Sequence, residues 1–386
     1  MVNEFEKAKK NKVDEFYTQL TDIEAELRHY KEQFKDKVIL CNCDDPYESN
    51  FFKYFAMNFN HIGIKKLIAT CYSGSQVAGT QLSLFDVDGV KEAVFENRQP
   101  HKIVINEVYD FNKDGAIDLI DVELLLKNNK NTLSLLNGDG DFRSVECIEM
   151  LKEADIVVTN PPFSLFREYV YQLMDNKKKF LIIGNKNAIT YKDIFGFIKE
   201  NRMQTGYRNI NADMWFIVPQ NYECEKIENG KRVKHIMACW FTNLDVQKHN
   251  EFLTLYKRYS PEEYPSYVNY NAIEVSKVSD IPLDYYGKMG VPITYLDKWN
   301  PKQFEIIGSS RWLGKPMSEI APKGSYVQGG IRFYLLDKCE NNANNLLVQT
   351  RPDQTRPDIT AVSTTELSSN AKYKRLYDRI IIKRKI

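Results

Sequence analysis

Short apolar runs alternate with amphipathic segments along the first 245 residues of the chain. Residues 37–43 and 66–72 are apolar runs, and between them lies the amphipathic segment 50–60, for which Ser49 is the expected N-cap. Apolar runs of this length predict buried strands, and the segment between them predicts a helix. Two strands joined by a helix predict a parallel sheet.

A further helix is predicted ahead of this unit, over residues 21–34. Thr21 and Glu24 have the spacing of a capping box, in which two side chains satisfy backbone N–H groups at the start of a helix. Ile23, Leu27 and Tyr30 recur at helical spacing, so the segment is predicted to be amphipathic.

The alternation is interrupted between residues 73 and 132, where glycines and two alternating runs, one around Ile103–Ile105, predict a hairpin insertion. Strand and helix then alternate again. The predicted elements are strand 133–136, helix 144–152, strand 155–159, a helix with an apolar stripe over 165–174, and strands 180–184, 213–218 and 236–241. These elements predict an α/β fold with a doubly wound sheet of about seven strands.

Beyond about residue 245 the sequence becomes rich in tyrosine, lysine and proline, and its predicted strands are short. A chain of 386 residues exceeds the size that one hydrophobic core usually supports, about 250–300 residues. We therefore predict two domains, residues 1–245 and a smaller domain of residues 246–386.

The composition is that of an ordinary globular protein, with 43% hydrophobic and 27% charged residues. No stretch approaches the roughly 18 apolar residues of a membrane span, and the N-terminus lacks the apolar core of a secretory signal. Seven scattered cysteines favour reduced thiols over a disulfide framework or a zinc site. The sequence thus predicts a cytoplasmic protein with no membrane partner and no metal.

A net charge of +1 means that nucleic-acid contacts must come from local basic patches. The C-terminal segment 372–385 is the strongest candidate, because Asp378 is its only acid and Tyr373 and Tyr377 are interleaved. Its basic residues are Lys372, Lys374, Arg375, Arg379, Lys383, Arg384 and Lys385. The pattern fits both phosphate contact and a solubilising surface.

The tetrapeptide Asn160-Pro161-Pro162-Phe163 directly follows a predicted strand. The carboxyl ends of strands form the binding crevice of an open α/β sheet, so the motif is expected to line a ligand site. Two prolines fix φ and remove two backbone donors. The Asn160 amide oxygen and the Pro161 carbonyl can then accept both hydrogens of one exocyclic amine, and Phe163 offers a flat face for a base. The alternative is a rigid Pro-Pro turn.

Two motifs upstream suggest a binding site for an adenine-containing amino acid derivative. In Gly138-Asp139-Gly140-Asp141-Phe142, glycines allow close backbone approach, a carboxylate can accept from an adenine amine, and a phenyl ring can stack on it. Asp44, Asp45 and Pro46 end the first strand, where carboxylates can pair with an ammonium group and the next helix attracts a carboxylate. The alternatives are a plain glycine turn and helix capping by Ser49.

The order of these motifs resembles that of DNA amino-methyltransferases whose target-recognition region is C-terminal. The motifs are, in order, Glu15-Phe16-Tyr17-Thr18-Gln19, Asp44-Asp45-Pro46-Tyr47, Gly140-Asp141-Phe142 and Asn160-Pro161-Pro162-Phe163. More narrowly, segments 138–144, 154–169 and 290–298 resemble the EcoRI-type adenine-specific DNA methyltransferases, and the resemblance covers nearly the whole chain.

The resemblance implies a Rossmann-like methyltransferase sheet, S-adenosyl-L-methionine as cofactor, and methylation of N6 on an adenine flipped out of double-stranded DNA. It makes residues 246–386 the target-recognition region and 1–245 the catalytic domain. The implied catalytic residues are Asn160, Pro161, Pro162 and Phe163. The implied cofactor contacts are Tyr17, Thr18, Asp44, Asp45, Pro46, Ser49, Tyr72, Asp141, Phe142 and Asn160. A restriction endonuclease is implied as a functional partner, not as a stable complex.

The chain departs from the wider methyltransferase pattern in two places. Its first turn lacks the usual glycine-rich loop, and its second strand ends in Thr70-Cys71-Tyr72-Ser73, with no acid for the ribose. The residues that contact the ribose are therefore not assigned. Base contacts are assigned only to a set of candidates, which are Lys298, Arg311, Lys315, Arg332, Arg351 and Arg356.

Other interpretations stay open at the level of sequence. Residues Asp110 to Asp121, with Gly115 at the sixth place, match the spacing of a calcium loop, and the alternative is an Asp/Asn-capped turn before a helix. Because the loop occurs once, calcium-dependent binding is not expected to be the main function. Methylation of RNA adenine or protein glutamine, or a catalytically silent DNA-binding module, remain the competing functions.

Overall fold

The structure is a computed structural model that describes residues 16–43, 49–72, 100–111, 113–115, 117–118, 120–121, 124, 132–218, 222–228, 230–327, 332–336 and 372–385. The chain divides into two compact units, Met1–Asn250 and Glu251–Ile386, whereas the sequence placed the boundary after residue 245. None of the helices in the described ranges is long and apolar enough to cross a membrane.

Strands and helices alternate as predicted in the opening of the first unit and again between residues 145 and 185. Its strands are β1 (Tyr17–Thr18), β2 (Val38–Cys41), β3 (Lys66–Thr70), β4 (His101–Ile105), β5 (Thr132–Leu135), β6 (Ile156–Thr159), β7 (Lys179–Asn185), β8 (Gln204–Thr205), β9 (Trp215–Ile217), β10 (Lys226–Glu228), β11 (Lys231–His235) and β12 (Ala238–Thr242). Its described α-helices are α1 (Leu20–Leu27), α2 (Lys31–Phe34), α3 (Asn50–Met57), α4 (Phe59–Ile62), α5 (Val145–Glu153), α6 (Phe166–Asp175) and α7 (Lys192–Lys199). Short 3-10 helices span Phe163–Leu165, Lys186–Thr190 and Gln247–His249.

The main sheet has eight strands in the order β5-β4-β3-β2-β6-β7-β12-β8, where about seven were predicted. Its centre, β3-β2-β6-β7, is parallel, which confirms the predicted strand–helix–strand opening. Strands β4, β5, β12 and β8 extend it by antiparallel pairing. The protein is therefore a mixed α/β protein built on one large mixed sheet.

Helices cover both faces of this sheet, as neighbouring residues of β12 show. Side chains of adjacent strand residues point to opposite faces. Trp240 meets Phe51 of α3 at 5.9 Å between ring centroids, and Phe241 meets Phe166 of α6 at 5.0 Å. All four rings are buried, so an apolar layer lies on each side of the sheet.

Two strand assignments from the sequence are wrong. The run around Ile103–Ile105 belongs not to a separate hairpin but to the main sheet, where β4 pairs with β3 and β5. Residues 213–218 do not join that sheet: β9 pairs with β1 and β11 in a second sheet of order β1-β9-β11-β10. Apolar alternation identifies a strand but not its partner, because pairing depends on long-range packing.

Helix capping was predicted correctly at one helix and wrongly at another. Ser49 caps α3, accepting from the N–H of Phe52 at 3.3 Å. The predicted Thr21 capping box does not form, because α1 begins at Leu20 and Gln19 occupies the cap position without a side-chain bond. The predicted helix 21–34 is also divided into α1 and α2.

The second unit is built around a four-stranded sheet of order β13-β14-β18-β15 and a two-stranded pair, β16-β17. Its strands are β13 (Ile273–Glu274), β14 (Lys288–Pro292), β15 (Phe304–Ser309), β16 (Tyr334–Leu336), β17 (Tyr373–Arg375) and β18 (Arg379–Arg384). Short 3-10 helices span Val278–Asp280, Ile293–Lys298 and Met317–Glu319. The strand nearest the C-terminus, β18, lies between β14 and β15 with Ile380, Ile381 and Ile382 buried.

Candidate active site

The main sheet reverses its winding direction between β2 and β6. From β2 the chain proceeds to β3 on one side, and from β6 it proceeds to β7 on the other. The two strands are parallel neighbours, with Ile39 opposite Ile156. Ligands of open α/β sheets bind at such a switch point, outside the carboxyl ends of the strands. The end of β6 is followed by Asn160, so the predicted catalytic motif lies at this point.

Asn160 is held rigidly and is only 6% exposed. Its amide nitrogen donates to the carbonyl of Phe16 at 2.6 Å, just ahead of β1. Its amide oxygen is buried and accepts no hydrogen bond from the described residues. A buried acceptor without a donor costs about 1–3 kcal/mol, which is the kind of cost a ligand can relieve. The site therefore presents one fixed acceptor for an N–H group.

An aromatic cluster surrounds this acceptor. Phe163 lies edge-on to Phe16 at 6.0 Å and to Phe216 of β9 at 6.3 Å. Phe16 also meets Tyr222 at 5.2 Å. Phe163 and Tyr222 are only partly buried, so their rings reach the surface of the cluster. The site thus combines an amide acceptor with aromatic faces suited to a planar base.

Strand β1 links this cluster to the start of α3. Asn50, the first residue of α3, donates its side-chain amide to the Thr18 carbonyl at 2.7 Å. Thr18 is 2% exposed, and its hydroxyl is a second buried polar group with no hydrogen-bond partner among the described residues. Tyr17 and Thr18 therefore lie beside the switch point.

The turn after β2 is held against β6 and α6. The Asn42 carbonyl accepts from the Thr159 hydroxyl, and the Asn42 side-chain oxygen accepts from the Tyr169 hydroxyl. Burial raises the pKa of Tyr169 well above its usual range, so this phenol stays a donor. Cys43 has φ 72°, a conformation that glycine adopts more readily. Cys43 therefore takes a left-handed backbone conformation directly after Asn42.

Gly140 lies against the end of β3. It has φ +78°, and a Cβ at this position would lie 2.1 Å from the Cys71 carbonyl oxygen. No larger residue fits without moving the backbone. The close approach brings Asp141 and Phe142 to the strand end that carries Tyr72.

Arg143 fixes the orientation of Asp141. Its Nε and Nη2 atoms donate to the two carboxylate oxygens at 2.8 and 2.6 Å. The hydrogen bond to Asp141 raises the pKa of Arg143, so the guanidinium stays charged. Phe142 is 6% exposed and meets Tyr169 edge-on at 5.0 Å. The predicted adenine contacts therefore share Tyr169 with the turn after β2.

Comparison with known proteins identifies the family. Residues 4–385 match the family described as adenine-specific methyltransferase EcoRI. The type II methyltransferase M.EcoRI of Escherichia coli is 48% identical over 340 residues, which are 86% of this chain and 97% of the relative. The type II methyltransferase M.MpnI of Mycoplasma pneumoniae is 37% identical over 317 residues, which are 78% of this chain and 84% of the relative. No solved structure matches the chain.

The chain belongs to the EcoRI family of adenine-specific methyltransferases. It is thus an adenine-specific DNA methyltransferase, which confirms the function and the family expected from the sequence. A type II methyltransferase of Mycoplasma genitalium, M.MgeORF184P, is similar at 37% identity over 316 residues, 79% of this chain and 86% of the relative.

The structure of this EcoRI-family chain brings most of the predicted site residues to the carboxyl ends of the parallel strands. Asn160, Phe163, Thr18 and Asn50 are linked by the contacts above. Asp44, Asp45 and Pro46 lie outside the described residues. Ser49 acts as a helix cap, which was the alternative interpretation of this segment.

Sequence reasoning did not assign a role to several residues of this site, among them Phe16, Asn42 and Phe216. Phe16 lies in a predicted motif, but its carbonyl bond to Asn160 and its ring contacts depend on the tertiary structure. Asn42 is a polar residue at a strand end, a signal that could have been used. Phe216 had no such signal, since β9 was assigned to the other sheet.

Much of the predicted C-terminal basic patch is structural. Arg379 donates to Glu274 at 2.7 Å, and the two side chains are only 11% and 3% exposed. Lys385 donates to the Pro301 carbonyl at 2.9 Å, and Arg384 donates to that of Leu283. Lys374, Lys383 and Tyr377 are exposed. The patch is therefore neither a tail nor a uniform cationic surface.

The candidate base-contacting residues differ in their surroundings. Arg311 and Arg332 both pair with Asp378, at 2.7 and 3.0 Å. Lys298 and Lys315 are exposed. Arg351 and Arg356 lie outside the described residues.

The calcium-like loop directs its carboxylates toward its own backbone. Asp121 is fully buried, and its two oxygens accept from the N–H groups of Phe111 at 2.8 Å and Asp118 at 3.0 Å. Asp110 accepts from the N–H of Gly115 at 2.9 Å. These bonds are those of a capped turn. Within the described ranges, no group of three or more His, Cys, Asp or Glu side chains is arranged to hold a metal ion.

Proposed function

We propose that this chain transfers the methyl group of S-adenosyl-L-methionine to N6 of an adenine flipped out of double-stranded DNA, with Asn160-Pro161-Pro162-Phe163 as the catalytic motif. The observation that carries the proposal is the buried Asn160 amide oxygen, for which no described residue is a donor. It is fixed at the switch point of the sheet by the bond from the Asn160 amide nitrogen to Phe16.

Asn160 acts by accepting one hydrogen of the adenine amine. The N6 lone pair is delocalised into the ring, which makes the amine a weak nucleophile. Acceptors on both hydrogens favour a pyramidal nitrogen with an available lone pair, and the Pro161 carbonyl is the proposed second acceptor. The Phe16 carbonyl already accepts a hydrogen bond from the Asn160 amide nitrogen. The amide therefore cannot flip without losing that bond. The acceptor is thus positioned before the substrate binds.

The aromatic cluster supplies the surface for the base. An adenine leaves the duplex only if contacts offset a few kcal/mol of unstacking. Phe163 is partly buried against Phe16 and Phe216, which holds its ring in place. We assign Phe163 the face on which the adenine ring rests.

Other residues at the carboxyl ends of the strands fit S-adenosyl-L-methionine. Gly140 brings the following residues against the Cys71 carbonyl, where a Cβ would not fit. Asp141, oriented by Arg143, is the proposed acceptor for the cofactor adenine amine, and Phe142 its apolar contact. The Thr18 hydroxyl, buried and without a hydrogen-bond partner among the described residues, is the proposed contact for the methionyl end. S-adenosyl-L-methionine supplies a methyl group on a positively charged sulfur, which needs positioning more than a strong base.

The rest of the predicted organisation belongs to the same proposal. The eight-stranded sheet with helices on both faces supports a Rossmann-like methyltransferase core. The second unit, with exposed lysines such as Lys298 and Lys315, is the proposed target-recognition region. Since three relatives are named type II methyltransferases, we propose a partner restriction endonuclease that acts on the same DNA sites without a stable complex.

Methyl transfer to mixed-sequence DNA tests the proposal. The purified chain is incubated with labelled S-adenosyl-L-methionine and double-stranded DNA, and the DNA is digested to nucleosides. We expect N6-methyladenine, and we expect Asn160→Ala to lower kcat by about 10²–10³-fold, the usual effect of losing one preorganised group. Asn187→Ala, which changes an exposed asparagine in the short 3-10 helix after β7, is the control. Absence of N6-methyladenine from the digested DNA would contradict the proposal.

A further inference from the structure

A cleft between α6 and α7 is not part of the site described above. It has a volume of about 580 Å³ and is lined by Arg167, Tyr171, Tyr191, Lys192 and Asp193. The two tyrosines are 42% and 39% exposed, so their rings are accessible from solvent. An open cleft lined by cations and exposed aromatic rings is typical of surfaces that contact nucleic acids.

Arg167 is held in one orientation by its neighbours. Its Nε and Nη2 atoms lie 2.8 and 2.5 Å from one oxygen of Asp193. Its guanidinium carbon lies 5.7 Å from the centre of the Tyr191 ring. The side chain is nevertheless 61% exposed, and no described residue accepts from Nη1. A guanidinium fixed on one edge and open on another is suited to a phosphate.

Lys192 provides a second cation beside this guanidinium. It is exposed and forms no ion pair with any described residue. Burial acts to raise the pKa of Asp193, but the hydrogen bonds from Arg167 and from the Ile194 N–H outweigh it and hold the pKa below its ordinary value. The cleft therefore has two positive groups and one negative group, and the negative group is already paired with Arg167.

Arg167 and Lys192 of the cleft lie in the first turns of α6 and α7, the helices that follow β6 and β7. Strands β6 and β7 are parallel neighbours, and each is followed by one of the two helices. Arg167 lies four residues after Phe163 in sequence, about one helical turn. A flipped nucleotide rotates about its backbone, so the phosphates that flank it need a fixed support near the base pocket.

We propose that the α6–α7 cleft binds a backbone phosphate of the DNA strand that carries the target adenine, through Arg167 and Lys192. Asp193 and Tyr191 act as positioning residues for Arg167. The contact is independent of base sequence and adds affinity without specificity. The proposal rests on DNA being the substrate.

Salt-dependent binding of double-stranded DNA tests this assignment. Affinity for a fluorescent duplex of mixed sequence is measured by anisotropy at several NaCl concentrations. We expect Arg167→Ala and Lys192→Ala each to raise Kd by about three- to tenfold at low salt. Each should also reduce the slope of log K against log salt by about 0.9, the value for one lost phosphate contact on duplex DNA. Arg167→Lys keeps the charge but not the paired geometry, so an intermediate Kd is expected.

Lys199→Ala is the matched control. Lys199 is exposed, seven residues beyond Lys192 and at the other end of the same helix. Its Kd should stay within twofold of wild type, with an unchanged slope. If Arg167→Ala and Lys192→Ala both behave like Lys199→Ala while the wild type binds, the cleft assignment is wrong. Failure of the wild type to bind duplex DNA would instead overturn the proposed function and the cleft together. Because Lys192 lacks an ion pair, its variant still tests the proposal if Arg167→Ala unfolds.

Discussion

At the scale of single residues, two nearby glycines differ in how tightly their surroundings constrain them. Gly138 and Gly140 belong to one five-residue motif, yet their surroundings differ. Gly140 has a positive φ and presses against the Cys71 carbonyl, whereas Gly138 has no atom within 4 Å of an added Cβ. Position 140 therefore requires glycine, because of its positive φ and its contact with the Cys71 carbonyl, whereas position 138 does not.

Gly140→Ala should destabilise the protein by about 2–4 kcal/mol, because it combines a strained φ with a clash against the backbone. Affinity for S-adenosyl-L-methionine should fall as well, since Asp141 and Phe142 would move. Urea unfolding and calorimetric titration of the cofactor measure the two effects. Gly138→Ala is the control and should leave both unchanged. Equal effects of the two substitutions would show that the Cys71 contact does not matter.

At the scale of elements, one buried carboxylate joins α1 to the segment that leads from β8 toward β9. Glu26 is fully buried, and its oxygens accept from the N–H groups of Tyr207 at 2.5 Å and Arg208 at 2.7 Å. The Tyr30 hydroxyl donates to it at 2.7 Å. The segment continues into β9, whose Phe216 borders the candidate site. Glu26 thus fixes the path of the chain toward that site.

The charge of Glu26 should make stability depend on pH. Burial raises its pKa above the ordinary 4.5 in spite of these hydrogen bonds. The folded state therefore holds its proton to higher pH than the unfolded state does. This contribution to stability is fully present below pH 4.5 and is lost as pH rises to the folded pKa.

In Glu26→Gln this loss should be absent, so the variant should gain stability relative to wild type as pH rises from 4.5 to 7. Each unit of pKa difference corresponds to about 1.4 kcal/mol. Urea unfolding at a series of pH values measures the difference, and Glu24→Gln, an exposed position on the same helix, is the control. If the stability of Glu26→Gln relative to wild type stays constant or falls as pH rises, the pKa of Glu26 is not raised.

At the scale of the whole molecule, the chain terminus is part of a core. Strand β18 pairs with both β14 and β15, and Arg379 at its start forms a buried ion pair with Glu274 of β13. The Tyr267 hydroxyl also donates to Glu274. The ion pair therefore connects β18 to the edge strand β13, on the far side of β14.

Glu274→Ala should destabilise the second unit by about 3–5 kcal/mol, because it leaves the Arg379 charge buried without a partner. Glu228→Ala removes one partner of an exposed pair with Lys226, 3.4 Å apart and about half exposed, and should cost about 0–1 kcal/mol. Chemical denaturation followed by tyrosine and tryptophan fluorescence compares them. A loss for Glu274→Ala no larger than for Glu228→Ala would mean that Arg379 finds another partner.

Much of the fold and site follows from local sequence. Apolar runs identified β2, β3, β6 and β7, because buried strands need consecutive apolar residues whatever their neighbours. Ser49 was recognised as a cap because its hydroxyl bonds to an N–H only three residues away. The order of the motifs identified the family, since the spacing of Asp141 and Asn160 around these strands is a property of the chain itself.

Tertiary structure alone decided which strands pair and which polar groups meet. The assignments of β4 and β9 were wrong because pairing depends on residues far along the chain. Three of the seven C-terminal cations, Arg379, Arg384 and Lys385, proved to bind groups far along the chain, such as Glu274. The sequence by itself determined the elements and the chemistry that this protein carries. The fold determined that the Asn160 amide nitrogen would bond to the Phe16 carbonyl, because that bond joins residues 144 positions apart, and that no described residue would donate to the Asn160 oxygen.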